Sequence, residues 1–226
     1  MPRLNVYGAI IPNDYKWYYD YFEEDSTCPR DVDKAITEAN GDLLDIYINS
    51  PGGVISSGSD IYTALRAYGN IKIHITGEAC SAASIIAMAG ESEMSPTALM
   101  MVHCVSVNPG RGNHSHMEHT AEMLRTADEA LCTAYMAKAN MSQVDALAMM
   151  EEETWLTAEE ALARGLIDAI MFEEQTKPVF TGSMFELPSE EKMNRVRMML
   201  KEQDLVDQAP LLQQRLNYLK LMEVTK

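Results

Sequence analysis

The sequence predicts an α/β fold with a largely parallel sheet. Short apolar runs that suit buried strands alternate with stretches whose apolar residues recur at helical spacing, over about the first 170 residues. Such alternation is typical of units in which helices cover a parallel sheet. A chain of 226 residues, 46% of them hydrophobic, can bury the core that this fold requires. We therefore expect one sizeable domain with a smaller segment appended to it.

The first half of the chain supplies most of the predicted sheet. Residues 4–11 are a strand candidate that ends near Pro12, and residues 29–39 begin with a proline and continue at helical spacing. Next come a strand at 43–48, a helix at 56–67, a strand at 71–75, a helix at 77–90 and a strand at 99–103. The aromatic run at 15–22 (YKWYYDYF) is predicted to pack back on the core as a loop or short helix, with a partner surface as the alternative.

Helical spacing dominates the second half of the chain. We predict a long helix at 117–139, another at 142–150 capped by Ser142, and a third that starts at the capping-box pattern of Thr157 and Glu160 and ends at Gly165. Residues 166–171 are predicted to be the last strand. The main domain then spans 1–174, a linker with two prolines and a glycine spans 175–189, and two amphipathic helices form an extension over 190–226.

Charge and composition exclude several classes of partner. The formal net charge of −16 argues against nucleic acid and anionic membranes. No apolar run reaches the roughly 18 residues of a membrane span, and the first residues lack the apolar core of a signal peptide. We therefore expect a cytoplasmic protein. The cysteines have no zinc-site spacing and are predicted to be buried free thiols: Cys28, Cys80, Cys104 and Cys132.

Three histidines lie near the predicted start of the long helix, at His114, His116 and His119. His116 and His119 would share a helix face, which is a spacing that metal sites use. We predict a solvated surface here, with metal binding as the alternative, and no metal or cofactor elsewhere.

Three short features point to nucleophilic catalysis. Gly52 and Gly53 follow a strand and can offer unhindered backbone N–H groups, and Ser81 lies in a small-residue run where a helix is predicted. His103 ends a strand, at the edge where α/β proteins place their sites. A serine hydroxyl needs a base to take its proton and donors for the oxyanion. Each feature alone is weak, and their order and spacing carry the signal.

On these residues the chain resembles the Clp protease proteolytic subunits (the ClpP family), and more closely the ClpP-related head-maturation proteases of tailed phages. The similarity covers about residues 4–171. INSPGG stands at 48–53, the G-x-A-x-S pattern at 77–81, the P-(x)6-H pattern at 96–103 and LTAEEA…GLID at 156–168. The resemblance implies the ClpP/crotonase-like fold of repeated β-β-α units, with a projecting long handle helix and here a small helical C-terminal extension.

The resemblance also implies the roles of single residues. Ser81 would be the nucleophile and His103 its general base, while the backbone N–H groups of Gly53 and Ala82 would hold the oxyanion. Ser84 is a competing nucleophile in the same run. The substrate would add as a β-strand between the chain after Gly53 and the chain after His103.

The third member of the triad departs from the family pattern. Where the family usually has an aspartate, this chain has Glu153 in the run Glu-Thr-Trp-Leu-Thr-Ala. A glutamate can orient a histidine and stabilise its cation. We predict Glu153 as the acid, with Glu151, Glu152, Asp168 or a dyad without an essential acid as alternatives.

The family likeness implies a homo-oligomer of stacked rings, with the long helix interleaving between rings. The chain begins almost at its first strand candidate, where the family has a segment that contacts a Clp ATPase, so docking to such an ATPase is not expected. The predicted function is an ATP-independent serine endopeptidase that processes scaffold or other head proteins in phage capsid maturation. The alternatives are a catalytically weak or inactive assembly protein and a crotonase-like acyl-CoA enzyme.

Overall fold

A computed structural model describes residues 2–108, 110–173, 191–195 and 197–199. Over these residues a single sheet has the order β2-β1-β3-β4-β5-β8, with β6 beside β4 and β7 beside β6. All strand pairs are parallel except β6 with β7. The predicted α/β class with a parallel sheet is therefore confirmed. The strands are β1 (Arg3–Ile10), β2 (Ser26–Thr27), β3 (Leu44–Gly53), β4 (Ile71–Cys80), β5 (Glu91–Met94), β6 (Leu99–Val102), β7 (Thr154–Leu156) and β8 (Ala169–Ile170).

The helices α2, α3 and α4 pack on the sheet, and α5 packs against α4 and α6. The small apolar side chains of α4 are all buried, which lets this helix lie close to the strands at the centre of the molecule. The helices are α1 (Lys16–Tyr21), α2 (Pro29–Ala39), α3 (Ile55–Tyr68), α4 (Ala82–Ala87), α5 (His114–Ala139), α6 (Gln143–Glu151) and α7 (Ala158–Ala163).

The central strands form the core by alternation. In β3 the burial of successive residues alternates along most of the strand, and its inward isoleucines are fully buried. β4 contributes two more fully buried isoleucines. The centre of the core is therefore a layer of β-branched side chains beneath the helices. The fully buried isoleucines of β3 and β4 are Ile46, Ile48, Ile73 and Ile75.

Two predicted boundaries at the sheet edge are wrong, for one reason. Strand pairing continues past residue 48, where β3 was predicted to end, and past residue 77, where a helix was predicted to begin. β3 runs on to Gly53 because Gly52 and Gly53 pair with the end of β1. β4 runs on to Cys80 where a helix was predicted from Gly77, and α4 starts only at Ala82.

The long helix α5 has two different halves. Its first turns are exposed almost all round, whereas its buried side chains lie in the second half and include Asp128 and Tyr135. The helix begins at His114, earlier than predicted, because the Asn113 side chain accepts a hydrogen bond from the His116 N–H at 3.0 Å. Within the described ranges, no helix is both long and apolar enough to cross a membrane.

The chain divides into two compact units, residues 1–174 and 175–226. In the second unit, residues 191–195 and 197–199 are helical, and the Arg195 guanidinium lies 4.0 Å from the Glu191 carboxylate. The predicted linker at 175–189 and the second C-terminal helix lie outside the described residues.

Candidate active site

Three parallel strands end side by side at the carboxyl edge of the sheet. β4 pairs with β3 on one side and with β6 on the other. Ser81 follows β4 directly, and His103 follows β6. The Ser81 N–H donates to the Met101 carbonyl at 2.9 Å, which aligns the two strand ends. Because neighbouring strands lie about 4.8 Å apart, side chains that follow them can touch.

Ser81 and His103 are brought into contact. His103 Nε2 lies 2.7 Å from Ser81 Oγ, and both residues are half-buried. At this distance a neutral imidazole can accept the hydroxyl proton. The other ring nitrogen, Nδ1, points away from the serine.

The backbone at Ser81 is strained. Its φ is 54° and its ψ is −123°, a combination that residues with a side chain rarely adopt. Such a residue costs about 1–3 kcal/mol and tends to occur at functional sites. The turn presents the hydroxyl between the end of β4 and the first residue of α4. Ala82 is the first residue of α4, so no carbonyl group of an earlier helical turn accepts a hydrogen bond from its N–H.

Gly52 packs directly against this turn. A Cβ added at Gly52 would lie 2.5 Å from the Cys80 carbonyl oxygen, 2.7 Å from Ser81 Cβ and 3.0 Å from the Ala82 nitrogen. The φ of Gly52 is also +95°, which favours glycine. Only a residue without a side chain therefore lets the end of β3 approach the turn, and this approach brings Gly52 beside the Ala82 nitrogen.

The polar residues before the glycines anchor the end of β3 to both neighbouring strands. Ser50 is fully buried, donates to the Gly8 carbonyl in β1 at 2.6 Å and accepts the Gly52 N–H at 3.1 Å. The Asn49 side-chain oxygen accepts the Glu78 N–H in β4 at 3.2 Å. The two bonds of Ser50 explain how a buried polar side chain is accommodated at this edge of a hydrophobic sheet.

Ser84 lies beneath the turn and faces the core. Its hydroxyl is fully buried and donates to the Ser81 carbonyl at 2.6 Å. Since a serine has one hydroxyl proton, the Tyr135 hydroxyl must be the donor in its 2.8 Å bond to Ser84 Oγ. Burial raises the pKa of Tyr135, which keeps the phenol protonated. The competing nucleophile of the sequence analysis is thus enclosed in the core, where it links α5 to the strained carbonyl.

Glu153 lies close in register to His103 but does not contact it. β6 and β7 pair Val102 with Thr154, so one further step along this antiparallel ladder sets Glu153 opposite His103. The backbone of Glu153 is not extended, because its φ is 48°, and its side chain is exposed. Among the described residues, no hydrogen bond joins a carboxylate to His103 Nδ1.

Asp128 is a buried acid that sequence reasoning missed. It is 9% exposed, and its carboxylate accepts the Val105 N–H at 2.7 Å, which holds the chain just beyond His103. Burial, followed by the charge of Asp128, raises the pKa of Cys104 to about 11. The available signal was an acidic residue within the apolar stripe of a predicted helix.

The other acids proposed from the sequence lie elsewhere. The Asp168 carboxylate accepts the Ser92 N–H at 2.7 Å and pairs with Lys138, so it ties β5 to α5. Glu151 and Glu152 are exposed at the end of α6.

The cysteines are free thiols, three of them buried. Burial, together with the nearby Glu78 carboxylate, raises the pKa of Cys80 to about 12. A thiol with such a pKa stays protonated near neutral pH, so Cys80 does not compete with the adjacent Ser81 as a nucleophile. Across the described part of the chain, no three metal-binding side chains are grouped to hold an ion, and the histidines at the start of α5 are exposed.

The sequence profile of the Clp protease family matches residues 35–174 of this chain. The chain belongs to the Clp protease family. The matched span contains every residue that the sequence analysis assigned to the site: Gly53, Ser81, Ala82, His103 and Glu153.

Two relatives from strains of Bacteroides fragilis are each named ATP-dependent Clp protease proteolytic subunit. Each is 29% identical to this chain over 138 residues, or 59% of this chain. The match covers 66% of one relative and 62% of the other, so the chain spans slightly less than two thirds of their length.

Replacing Gly52 by alanine should destabilise the protein more than the same change at Gly41. Both glycines have a φ near +95°, but nothing lies within 4 Å of a Cβ at Gly41. We expect Gly52→Ala to lower the free energy of unfolding by about 1–3 kcal/mol more than Gly41→Ala, because it also forces atoms to overlap. Urea denaturation measures both losses, and equal losses would contradict the close packing.

The Ser84–Tyr135 link predicts an asymmetric pair of mutants. Tyr135→Phe removes one hydrogen bond and should cost about 0.5–1.5 kcal/mol, whereas Ser84→Ala leaves a buried phenol without an acceptor and should cost about 1–3 kcal/mol. The double mutant should lose less than the sum, because no unpaired phenol remains. Strictly additive losses in denaturant unfolding would show that the two hydroxyls are not coupled.

Proposed function

We propose that this chain is a serine endopeptidase in which Ser81 attacks the peptide carbonyl and His103 takes its proton. The observation that carries the proposal is the 2.7 Å contact between Ser81 Oγ and His103 Nε2 at a strained strand-to-helix turn. Membership of the Clp protease family supports peptidase chemistry over that of an acyl-CoA enzyme with a related fold.

The chemistry follows from the positions of the two side chains. As Ser81 Oγ bonds to the carbonyl carbon, its proton passes to His103 Nε2, and the negative charge moves to the carbonyl oxygen. The N–H groups of Gly53 and Ala82 stabilise that oxygen. His103 then returns the proton to the leaving amine, and a water molecule activated by the same imidazole hydrolyses the acyl-enzyme.

We propose Glu153 as the acid that orients His103. Its place opposite His103 in the β6–β7 register supports this role. The exposed side chain must turn to reach Nδ1, and catalytic hydrogen bonds often tighten only in the complex with substrate. A substrate strand between the chain after Gly53 and the chain after His103 would exclude water from the carboxylate and favour that contact.

We further propose the assembly and the biological role. Residues 1–174 form the peptidase domain, followed by a linker at 175–189 and a helical extension at 190–226. The peptidase domains form stacked rings joined through the exposed half of α5. The protein acts in the cytoplasm without a Clp ATPase and processes scaffold or other head proteins in phage capsid maturation. Motif similarity to head-maturation proteases supports this role, and sedimentation as a stable monomer would contradict the rings.

A second candidate function is a catalytically weak or inactive assembly protein. One observation favours it: within the described residues no carboxylate contacts His103 Nδ1. The two functions differ in whether Ser81 reacts.

Ser81→Ala should abolish both labelling by a fluorophosphonate and cleavage of the cognate scaffold protein, because no other hydroxyl contacts His103 Nε2 in the described structure. Mass spectrometry of the labelled protein locates the modified residue. Ser59→Ala, which changes an exposed serine on α3, serves as the matched control and should label normally. Labelling that survives in the Ser81→Ala protein would overturn the assignment. Absence of any labelling in the wild type would favour the inactive assembly protein.

Glu153→Gln should lower kcat by about 100-fold or more with little change in KM, because the amide cannot stabilise the imidazolium. Glu152→Gln changes a neighbouring exposed carboxylate in the same way and should leave kcat unchanged. Steady-state cleavage of one peptide by both variants makes the comparison. Equal rates would mean that a dyad operates or that another acid serves.

A further inference from the structure

α1 and the turn before it expose five aromatic side chains. The expectation that this run packs back on the core is wrong. The rings of Trp17 and Tyr18 lie 6.0 Å apart, those of Tyr18 and Phe22 4.8 Å and those of Tyr21 and Phe22 5.0 Å, so these four side chains form one continuous surface. Together with Tyr15, which precedes α1, they are here termed the aromatic ridge. Its members and their exposed fractions are Tyr15 (60%), Trp17 (70%), Tyr18 (45%), Tyr21 (76%) and Phe22 (54%).

The aromatic ridge is exposed although its segment is firmly attached. The Ile11 N–H donates to the Thr27 carbonyl at 3.0 Å, and Lys16 Nζ donates to the Ser26 carbonyl at 2.8 Å. The Asn13 side chain accepts the Arg30 N–H at 2.9 Å. A contiguous apolar surface that is held in place and still faces solvent is typical of an interaction site.

Exposed carboxylates lie before, among and directly after the ridge residues in the chain. We term them the acidic rim, which consists of Asp14, Asp20, Glu23, Glu24 and Asp25. The only cation in residues 13–25 is Lys16, whose side chain is 27% exposed and lies 3.5 Å from the Asp31 carboxylate. Aromatic faces attract cations, as carboxylates do. The surface is therefore complementary to a segment that combines apolar side chains with lysine or arginine.

The ridge stands on the same edge of the sheet as Ser81. Ile10, the last residue of β1, is paired with Gly53, and the Val54 N–H donates to the Ile10 carbonyl at 2.8 Å. Tyr15 follows Ile10 by only five residues, so it lies within about 17 Å of that carbonyl. A polypeptide that passes Gly53 as an extended strand needs few further residues to reach the ridge.

We infer that the aromatic ridge and acidic rim form a docking surface for a segment of the protein substrate rich in lysine or arginine and apolar residues. The identity of the partner as a substrate rests on the proposed function, whereas its chemistry follows from the surface itself. A second copy of this chain fits less well, because 18 lysine and arginine residues stand against 34 acidic ones.

Peptide binding to the Ser81→Ala protein tests the inference. The probe is a short fluorescein-labelled peptide of alternating lysine and leucine, and its control carries glutamate in place of lysine. Fluorescence anisotropy should show binding of the basic peptide that weakens about tenfold in the double variant Trp17→Ser, Tyr21→Ser. Val144→Ser, at an equally exposed apolar residue of α6, should not change the affinity. Glu23→Gln with Glu24→Gln should weaken binding and reduce its dependence on salt.

Three results would overturn the inference. The first is equal binding of the acidic and basic peptides, and the second is undiminished binding by the Trp17→Ser, Tyr21→Ser variant. The third is dissociation of the assembly in sedimentation when only the ridge is changed, which would assign the ridge to a contact between copies.

A separate readout distinguishes this inference from the proposed function. With Ser81 intact, the ridge variant should react with a fluorophosphonate as fast as the wild type, while its KM for a basic protein substrate rises and kcat is kept. A wild-type protein that binds the basic peptide but never reacts would refute the peptidase and retain the docking surface.

Discussion

The close packing of Gly52 against the turn at Ser81 is the constraint on which the site depends. It leaves no room for a side chain at Gly52 and brings the end of β3 against the start of α4. The turn holds Ser81 in a conformation that costs about 1–3 kcal/mol. Hydrogen bonds from the Ser81 N–H to Met101 and from Ser84 to the Ser81 carbonyl offset that cost. The position of one hydroxyl thus depends on three strands and a helix.

Sequence reasoning predicted the order of the main helices and of five of the eight strands but missed β2, β5 and β7. It predicted α2 to the residue, because Pro29 and the helical spacing after it are local signals. The positions of Ser81 and His103 in their motifs also predicted that the two side chains would lie close together. The ends of β3 and β4 could not be predicted in the same way. Gly52 and Gly53 favour a turn locally, but pairing with β1 overrides that preference. Three of the four residues from Gly77 to Cys80 are small, and small residues suit either a helix or a strand.

Contacts between distant elements account for the remaining surprises. Ser84 and Tyr135 are 51 residues apart, so periodicity gives no sign of their hydrogen bond. Asp128 reaches across from α5 to the chain after His103 for the same reason. The exposed aromatic ridge reverses the usual expectation that aromatic side chains are buried, and such exposed apolar patches are typical of interaction sites. The Ser–His contact needs only the ends of β4 and β6, whereas Glu153, the proposed acid, lies just before β7 at a residue with a φ of 48°.

The central claim is that this strained turn is built to activate Ser81 and to receive the oxyanion beside it. A crystal structure of the protein after reaction with a fluorophosphonate tests it most directly. The account predicts phosphorus bonded to Ser81 Oγ, with the phosphoryl oxygen within hydrogen-bonding distance of the Gly53 and Ala82 N–H groups. An adduct on another residue, or a phosphoryl oxygen that meets neither N–H group, would contradict it.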